Sequence, residues 1–268
     1  VANSRGFVTV PGYQGPSDIM EYRVAFVRKD YTNPNAASRV EILKGASSGI
    51  FGSDAVGGVI YITTKSFAKQ KAIGRRGIIQ VAGGDLGLIS SSGFYSVSNP
   101  TNHLQISALR IRADGPKQRG INGYMQEDAF SFAFSKQKNN WQTSFRSAYN
   151  EREFAAQNFY TSFVSDTAVE KVKIFWNQFN ANYQKNKDQL SVYAGFKNTE
   201  DNYKFSSVSS ANSSFSNLFQ INTIYTRTET EQTKFSLGAQ YIGRNIRSND
   251  RGRHTVNQMA VYGILQHA

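Results

Sequence analysis

The stretch that decides the fold opens with Arg39-Val-Glu-Ile-Leu-Lys-Gly45 and closes with Gly57-Gly-Val-Ile-Tyr-Ile-Thr-Thr-Lys65. Apolar residues alternate with other residues at both ends, which predicts two short β-strands. Between them, Gly49 and Gly52 punctuate a turn-rich segment. Glycine permits positive φ and close backbone approach, so such a segment can fold tightly in a confined space.

This stretch resembles the end of the plug domain in TonB-dependent outer-membrane receptors. In that family an Arg–hydrophobic–Glu–hydrophobic strand leads through a glycine turn to Gly-Gly and then Ile-x-Ile-x-Thr-Lys. The chain keeps these residues at Arg39, Glu41, Gly45, Gly52, Gly57, Gly58, Ile60, Ile62, Thr64 and Lys65. It departs at Ala46, Phe51 and Tyr61, where the family usually carries Pro, Tyr and Asn.

Downstream of residue 77 the sequence repeats a period-two alternation many times. Phe130, Phe132 and Phe134, for example, alternate with alanine and serine. Successive side chains of a strand point to opposite faces, so one face is apolar and the other polar. The pattern predicts about ten strands, each near the length that crosses a bilayer at a tilt, at approximately 77–84, 88–98, 103–113, 123–137, 141–150, 174–185, 188–198, 217–228, 233–243 and 255–266.

The connections between these strands alternate in length. Short turns are predicted at 99–102, 138–140, 185–188 and 229–232, and longer polar loops at 113–122, 150–173, 199–216 and 244–254. Tight turns on one side and long loops on the other are typical of outer-membrane barrels. Periodicity alone leaves a large soluble antiparallel β protein as the alternative. Aromatic residues near strand ends fit interfacial girdles, namely Tyr95, Tyr149, Tyr183 and Tyr241.

The predicted fold class is therefore all-β, a partial transmembrane antiparallel β-barrel with the C-terminal part of a plug domain. Residues 1–65 are assigned to the plug, 66–76 to a linker and 77–268 to the N-terminal part of the barrel. The family barrel has 22 strands around its plug, so about ten strands imply a fragment. We find no signal peptide and no TonB-binding segment in the sequence.

Composition argues against several functions. The absence of cysteine removes disulfides and thiolate metal sites. The net charge of +12 comes from scattered Lys and Arg without a nucleic-acid-binding motif, so no nucleic-acid partner is expected. His103, His254 and His267 lie far apart, so no metal site is expected. Without a phosphate loop or a nucleophile motif, we expect neither an enzyme nor a cofactor.

The resemblance implies roles for residues of the plug stretch. Arg39 and Glu41 would lock the plug to the barrel wall. The glycines would form the plug's turn motif, namely Gly45, Gly52, Gly57 and Gly58. Ordinary surface charge on a plug strand is the alternative for Arg39 and Glu41.

Substrate-contact candidates lie in the stretch 151–163, because extracellular loops close around the ligand in this family. Aromatic side chains there would supply apolar and stacking contact. The candidates are Phe154, Asn158, Phe159, Tyr160 and Phe163. A loop that packs only on its neighbours is the alternative. The segment Asn158-Phe-Tyr160 also resembles receptors of Bacteroidota that are grouped with cobalamin importers.

The resemblance implies an importer in the outer membrane of a Gram-negative bacterium, surrounded by outer-membrane lipid. Its cargo would be cobalamin or a ferric siderophore. The TonB complex of the inner membrane would act on the plug through a segment missing from the sequence. Two other classes stay open: a small non-transporting outer-membrane barrel or adhesin, and a secreted β-rich carbohydrate-binding protein.

Overall fold

The computed structural model describes residues 37–44, 58–64, 73–118, 120–158, 160, 163 and 165–267. The chain divides into two units, Val1–Lys71 and Ala72–Ala268. The regular structure of the described residues consists of β-strands. No helix among these residues has the length and apolar character needed to cross a membrane.

The described part of the first unit is an antiparallel pair of strands, β1 (Ala37–Lys44) and β2 (Gly58–Thr64). Glu41 is paired with Tyr61. Both strands lie where the alternation predicted them. The glycine-rich stretch 45–57 lies outside the described residues.

The second unit is built on a ten-stranded antiparallel sheet. It confirms the ten strands predicted from the alternation. The sheet order follows the chain from one edge to the other, and among the described residues its two edge strands have one neighbour each. In chain order the strands are β3 (Gly74–Gly84), β4 (Leu88–Ser98), β5 (Asn102–Ala113), β8 (Met125–Lys138), β9 (Trp141–Ala155), β10 (Val169–Lys185), β11 (Asp188–Lys204), β12 (Asn212–Thr228), β13 (Thr233–Ser248) and β14 (Gly252–His267).

The connections at one end of the sheet, the short-turn end, are tight as predicted. They lie at 99–101, 139–140, 186–187 and 229–232. Asn139 and Asn186 each adopt a φ of 53°. Asparagine tolerates this left-handed conformation, which tight hairpin turns require.

Three of the four loops predicted at the opposite end, the loop end, are shorter than predicted. The predicted loop 150–173 is a loop at 156–168. The predicted loop 244–254 is a tight turn at 249–251, so that prediction was wrong. The strands continue through polar residues because the backbone ladder pairs N–H and C=O groups whatever the side chains are.

Two further boundaries differ for the same reason. The predicted loop 199–216 is shortened to 205–211 by longer flanking strands. Strand β3 begins at Gly74, within the stretch assigned to the linker. The connection 114–124 contains a short hairpin that the sequence did not predict, formed by β6 (Lys117–Gln118) and β7 (Ile121–Asn122).

Burial in this sheet is inverted relative to a water-soluble protein. On β9, Phe145 is 39% exposed whereas the adjacent Arg146 is 3% exposed. We call the side carrying Phe145 the apolar face and the side carrying Arg146 the buried face. Exposed aromatics of the apolar face include Phe130, Phe134, Phe175, Phe179, Phe196, Phe219 and Phe235. Buried polar residues include Gln105, Ser107, Ser131, Ser144, Asn150, Asn180, Ser191 and Lys197.

A soluble sheet packs its apolar side on a core and turns its polar side to water. The wall of a transmembrane barrel does the opposite, because lipid surrounds it. The inverted burial therefore separates the two readings that alternation left open. It favours the barrel wall.

Aromatic and polar contacts border the apolar face at its two ends. At the short-turn end, the rings of Trp141 and Tyr183 lie 4.9 Å apart, and the hydroxyl of Tyr225 donates to Asp188 at 2.6 Å. At the loop end the border carries four ion-pair contacts, Arg110–Asp128 (3.5 Å), Lys171–Glu151 (2.6 Å), Lys171–Glu153 (3.6 Å) and Lys173–Glu200 (3.6 Å).

Candidate functional site

The connection 156–168 between β9 and β10, which we call the aromatic loop, carries most of the predicted contact residues. Its described residues are tied together by hydrogen bonds. Ala156 donates its N–H to the carbonyl of Ala168 at 2.7 Å, which joins the two ends of the loop. Thr167 donates its N–H to the carbonyl of Phe205 at 3.3 Å, which ties the loop to the connection after β11.

Asp166 organises this loop from inside. Its side chain is fully buried. One carboxylate oxygen accepts the N–H of Asn158 at 2.7 Å, and the other accepts the N–H of Ala168 at 2.9 Å. A carboxylate that accepts two backbone N–H groups makes strong, charge-assisted hydrogen bonds. Asp166 therefore fixes both arms of the loop relative to each other.

Asn158 adopts the left-handed conformation that the loop requires at this point. Its φ is 59°, a region that asparagine visits more readily than most residues. Its role in the structure is to turn the chain and to donate its N–H to Asp166.

Tyr160 connects the loop to the strands beside it. Its hydroxyl donates to Glu170 at 2.8 Å, and Glu170 is a buried residue of β10. Its ring meets the ring of Tyr203 edge-on, with centroids 4.9 Å apart. This arrangement is favourable for two aromatic rings. Tyr160 is nevertheless 57% exposed, so part of its ring faces outward.

Phe154 lies in β9 and not in the loop where it was predicted. Its side chain is 2% exposed and packs with Ala156 and Ala168, against which Tyr203 also lies. The guanidinium of Arg152 stands 4.9 Å from the centre of its ring. Phe154 therefore supports the base of the aromatic loop.

Phe163 is the most exposed aromatic of the described part of the loop, at 67%. Its carbonyl accepts the N–H of Asp166 at 3.1 Å, which places it in the same hydrogen-bonded turn. Exposed rings on a fixed backbone can stack on or pack against a large ligand at little cost in conformational entropy. Tyr160 and Phe163 are thus the two described aromatic candidates available for contact, and Asn158 is also exposed.

The other predicted site residues are placed as follows. Arg39 and Glu41 lie in β1, and Gly58 begins β2. The remaining predicted residues lie outside the described residues, namely Gly45, Gly52, Gly57 and Phe159.

A second connection at the loop end is similarly ordered. Tyr124, just before β8, donates its hydroxyl to Glu153 at 2.9 Å. Burial and the neighbouring Glu153 carboxylate raise the pKa of Tyr124 to about 12. The hydroxyl acts as the donor in its hydrogen bond to Glu153.

Sequence reasoning missed Asp166, Glu170 and Tyr203. Asp166 had a local signal, because an aspartate often accepts the N–H of the residue two positions later. Tyr203 had none, since its partner Tyr160 is far away in the sequence. Among the described residues there is no group of three or more His, Cys, Asp and Glu side chains that could hold a metal ion.

Solved structures that share this fold include outer-membrane receptors of the TonB-dependent type. The FrpB iron transporter from Neisseria meningitidis superposes with a TM-score of 0.72 at 13% identity, over 88% of this chain and 44% of that one. The siderophore receptor PirA from Pseudomonas aeruginosa gives 0.64 at 14% identity, over 85% and 40%. BauA, the ferric preacinetobactin receptor from Acinetobacter baumannii, gives 0.62 at 16% identity, over 85% and 39%.

These identities show a shared fold, and the chain spans less than half the length of each of these three structures. The similarity confirms the resemblance read from residues 39–65 at the level of the fold. No protein-family model matches the sequence, and no curated protein sequence matches it.

Proposed function

We propose that this chain is part of a TonB-dependent receptor that imports a large, scarce nutrient across the outer membrane of a Gram-negative bacterium. The observation that carries the proposal is the inverted burial of the sheet, with phenylalanines exposed on the apolar face and polar side chains on the buried face. This arrangement suits a sheet whose apolar face is surrounded by lipid. The proposal assigns the chain no catalytic step.

Between the two predicted cargoes, a ferric siderophore has the better support. FrpB is named as an iron transporter, PirA as a siderophore receptor and BauA as the receptor for ferric preacinetobactin. The aromatic loop suits an organic chelate, because Tyr160 and Phe163 present exposed rings. Cobalamin rests on the resemblance of residues 158–160 alone, and it is the second candidate.

We also propose that Arg39 and Glu41 lock the plug to the barrel wall and that the TonB complex supplies the energy. Both roles follow from the resemblance. Energy coupling has a direct test. Uptake of cargo should stop when a protonophore collapses the inner-membrane gradient, while binding of cargo to cells should continue.

The experiment that tests the function is uptake by cells that depend on this protein. Cells carrying it should accumulate an iron-labelled siderophore, and cells with its gene deleted should not. Labelled cobalamin, tested in parallel, decides between the two cargoes. If the protein is recovered in the soluble fraction and deletion alters neither uptake, the proposal is wrong.

Fractionation also separates the alternatives. A secreted carbohydrate-binding protein would be soluble, which conflicts with the exposed phenylalanines. A small barrel or adhesin would be found in the outer membrane, but its deletion would leave both uptakes unchanged.

A further inference from the structure

A polar pair interrupts the apolar face on the two strands β9 and β10. Asn177 of β10 lies directly opposite Ser147 of β9, and both side chains are half-buried. Successive side chains of a strand alternate between faces, so Asn177 shares the apolar face with Phe175 and Phe179. The residues around the pair in the sheet are aromatic, namely Phe132, Phe145, Tyr149, Phe175, Phe179 and Phe196.

The depth of Asn177 puts it where lipid chains would pack. It lies four residues after Lys173, which belongs to the ion-paired border at the loop end, and this is about 13 Å along a strand. It lies six residues before Tyr183 at the short-turn end, which is about 20 Å. A carboxamide therefore stands between the two borders of the apolar face.

Other asparagines on this side of the sheet have a partner within it. Asn198 donates to Asn217 at 2.9 Å, and Asn245 donates to Thr255 at 3.2 Å. Among the described residues, the side chain of Asn177 has no hydrogen-bond partner. An amide in apolar surroundings without a hydrogen bond is unfavourable. The carboxamide of Asn177 therefore calls for a partner from another molecule.

The surface around Asn177 has the shape of a contact site. The outward pairs of β9 and β10 alternate between small and large side chains, in the order Thr143–Ala181, Phe145–Phe179, Ser147–Asn177 and Tyr149–Phe175. Asn177 thus lies in a groove between two aromatic ridges. Small residues let membrane-embedded surfaces approach closely, so that polar side chains can bond across the contact.

The chemistry of the groove favours a second copy of this chain as its occupant. The outward residues of β10 between Lys173 and Lys185 carry no charge, so nothing there selects a partner of opposite charge. A carboxamide has two donors and an acceptor, so two carboxamides complement each other. A two-fold axis along the membrane normal brings the same residue of two copies to the same depth.

We propose that two copies meet in the outer membrane through the faces of β9 and β10, with Asn177 hydrogen-bonded to the partner subunit's Asn177. Both strands have a described neighbour on each side, β8 and β11, so the contact is made by side chains and not by strand edges. The proposal rests on the outer-membrane location in the proposed function. It goes beyond that function, because it assigns a protein partner and not a cargo.

The first test cross-links the intact protein in outer membranes. The chain contains no cysteine, so Asn177→Cys places one thiol of the chain at the contact. A short bifunctional thiol reagent should then yield a dimer that the parent protein does not form. Thr223→Cys is the matched control, since Thr223 lies two strands away on β12, about 10 Å to the side, and should yield none.

Equal cross-linking at the two positions would mean random collision and overturn the contact. Absence of a dimer in Asn177→Cys would overturn it as well. A cross-link from Asn177→Cys to a different polypeptide would show that the occupant is another protein.

The second test measures the dimer dissociation constant in phospholipid vesicles at several protein-to-lipid ratios. Asn177→Leu should raise this constant by about threefold to thirtyfold, the range for hydrogen bonds between membrane-embedded segments. Asn177→Gln keeps a carboxamide and should stay nearer to wild type. Thr223→Val removes a hydroxyl elsewhere on the same face and should have no effect.

Heat-modifiable electrophoretic mobility verifies that each variant is folded. Wild-type protein that stays monomeric at every ratio refutes the contact, as does an equal effect of Asn177→Leu and Thr223→Val. Cargo uptake decides the proposed function separately. Monomeric protein that imports cargo refutes only the contact, whereas soluble protein that imports nothing refutes the function.

Discussion

A single buried acid sets the conformation of the aromatic loop. Replacing Asp166 by alanine removes two acceptors of backbone N–H groups. We expect the loop to lose about 1–3 kcal/mol of local stability for each buried N–H left without an acceptor. Because Tyr160 and Phe163 depend on this loop for their position, the Kd for cargo should rise while the barrel stays folded.

Equilibrium binding of cargo together with heat-modifiable mobility checks this expectation. Asp250→Ala is the matched control, since Asp250 lies in another turn at the same end and its carboxylate forms an exposed ion pair with Arg251 at 3.7 Å. Unchanged cargo affinity in Asp166→Ala would mean that the loop does not take part in binding.

Gly238 cannot carry a larger side chain, because Tyr262 lies opposite it on the neighbouring strand. A Cβ at this position would overlap the ring of Tyr262, whose hydroxyl reaches past β13 to Asn222 at 3.2 Å. Gly238→Ala should therefore lower the free energy of unfolding by about 1–3 kcal/mol, as other overpacked sites do. Urea unfolding in detergent measures it. The double variant Gly238→Ala/Tyr262→Ala should recover part of the loss, and a fully stable Gly238→Ala would refute the overlap.

At the scale of elements, the number and order of the strands could be predicted from the sequence, because lipid on one side imposes strict alternation. The residues at which the strands stop near the loop end could not be predicted. Toward the loop end most residues of β13 are polar, so the alternation fades although the backbone ladder continues up to Ser248. The arrangement around Asp166 could not be predicted from the sequence either, because it depends on burial and on contacts between distant residues such as Tyr160 and Tyr203.

One strand, β10, offers a direct test of which face meets lipid. Phe179 lies on the apolar face and the adjacent Asn180 on the buried face. Phe179→Arg should destabilise the folded barrel in lipid by about 2–4 kcal/mol, the range for arginine near the bilayer midplane. Phe179→Leu should cost much less. Folding equilibria in phospholipid vesicles measure the difference, and an arginine tolerated as well as leucine would place Phe179 outside the hydrocarbon.

At the scale of the whole molecule, the sidedness of the sheet can be mapped residue by residue. The chain contains no cysteine, so a single introduced cysteine gives one label within it. A fluorophore at Phe145→Cys should be quenched strongly by brominated lipid chains, and one at Ser144→Cys only weakly. Similar quenching at both positions would contradict the assignment of the two faces.

The exposed phenylalanines also determine how such a protein can reach its destination. Between synthesis and insertion into the outer membrane such a chain must pass through water, where an exposed face of aromatic side chains would aggregate with other apolar surfaces. The chain must therefore complete its folding at the membrane, and a chaperone must shield the unfolded chain while it is in water. The side chains that anchor the folded sheet in lipid thus make the unfolded chain prone to aggregation before insertion.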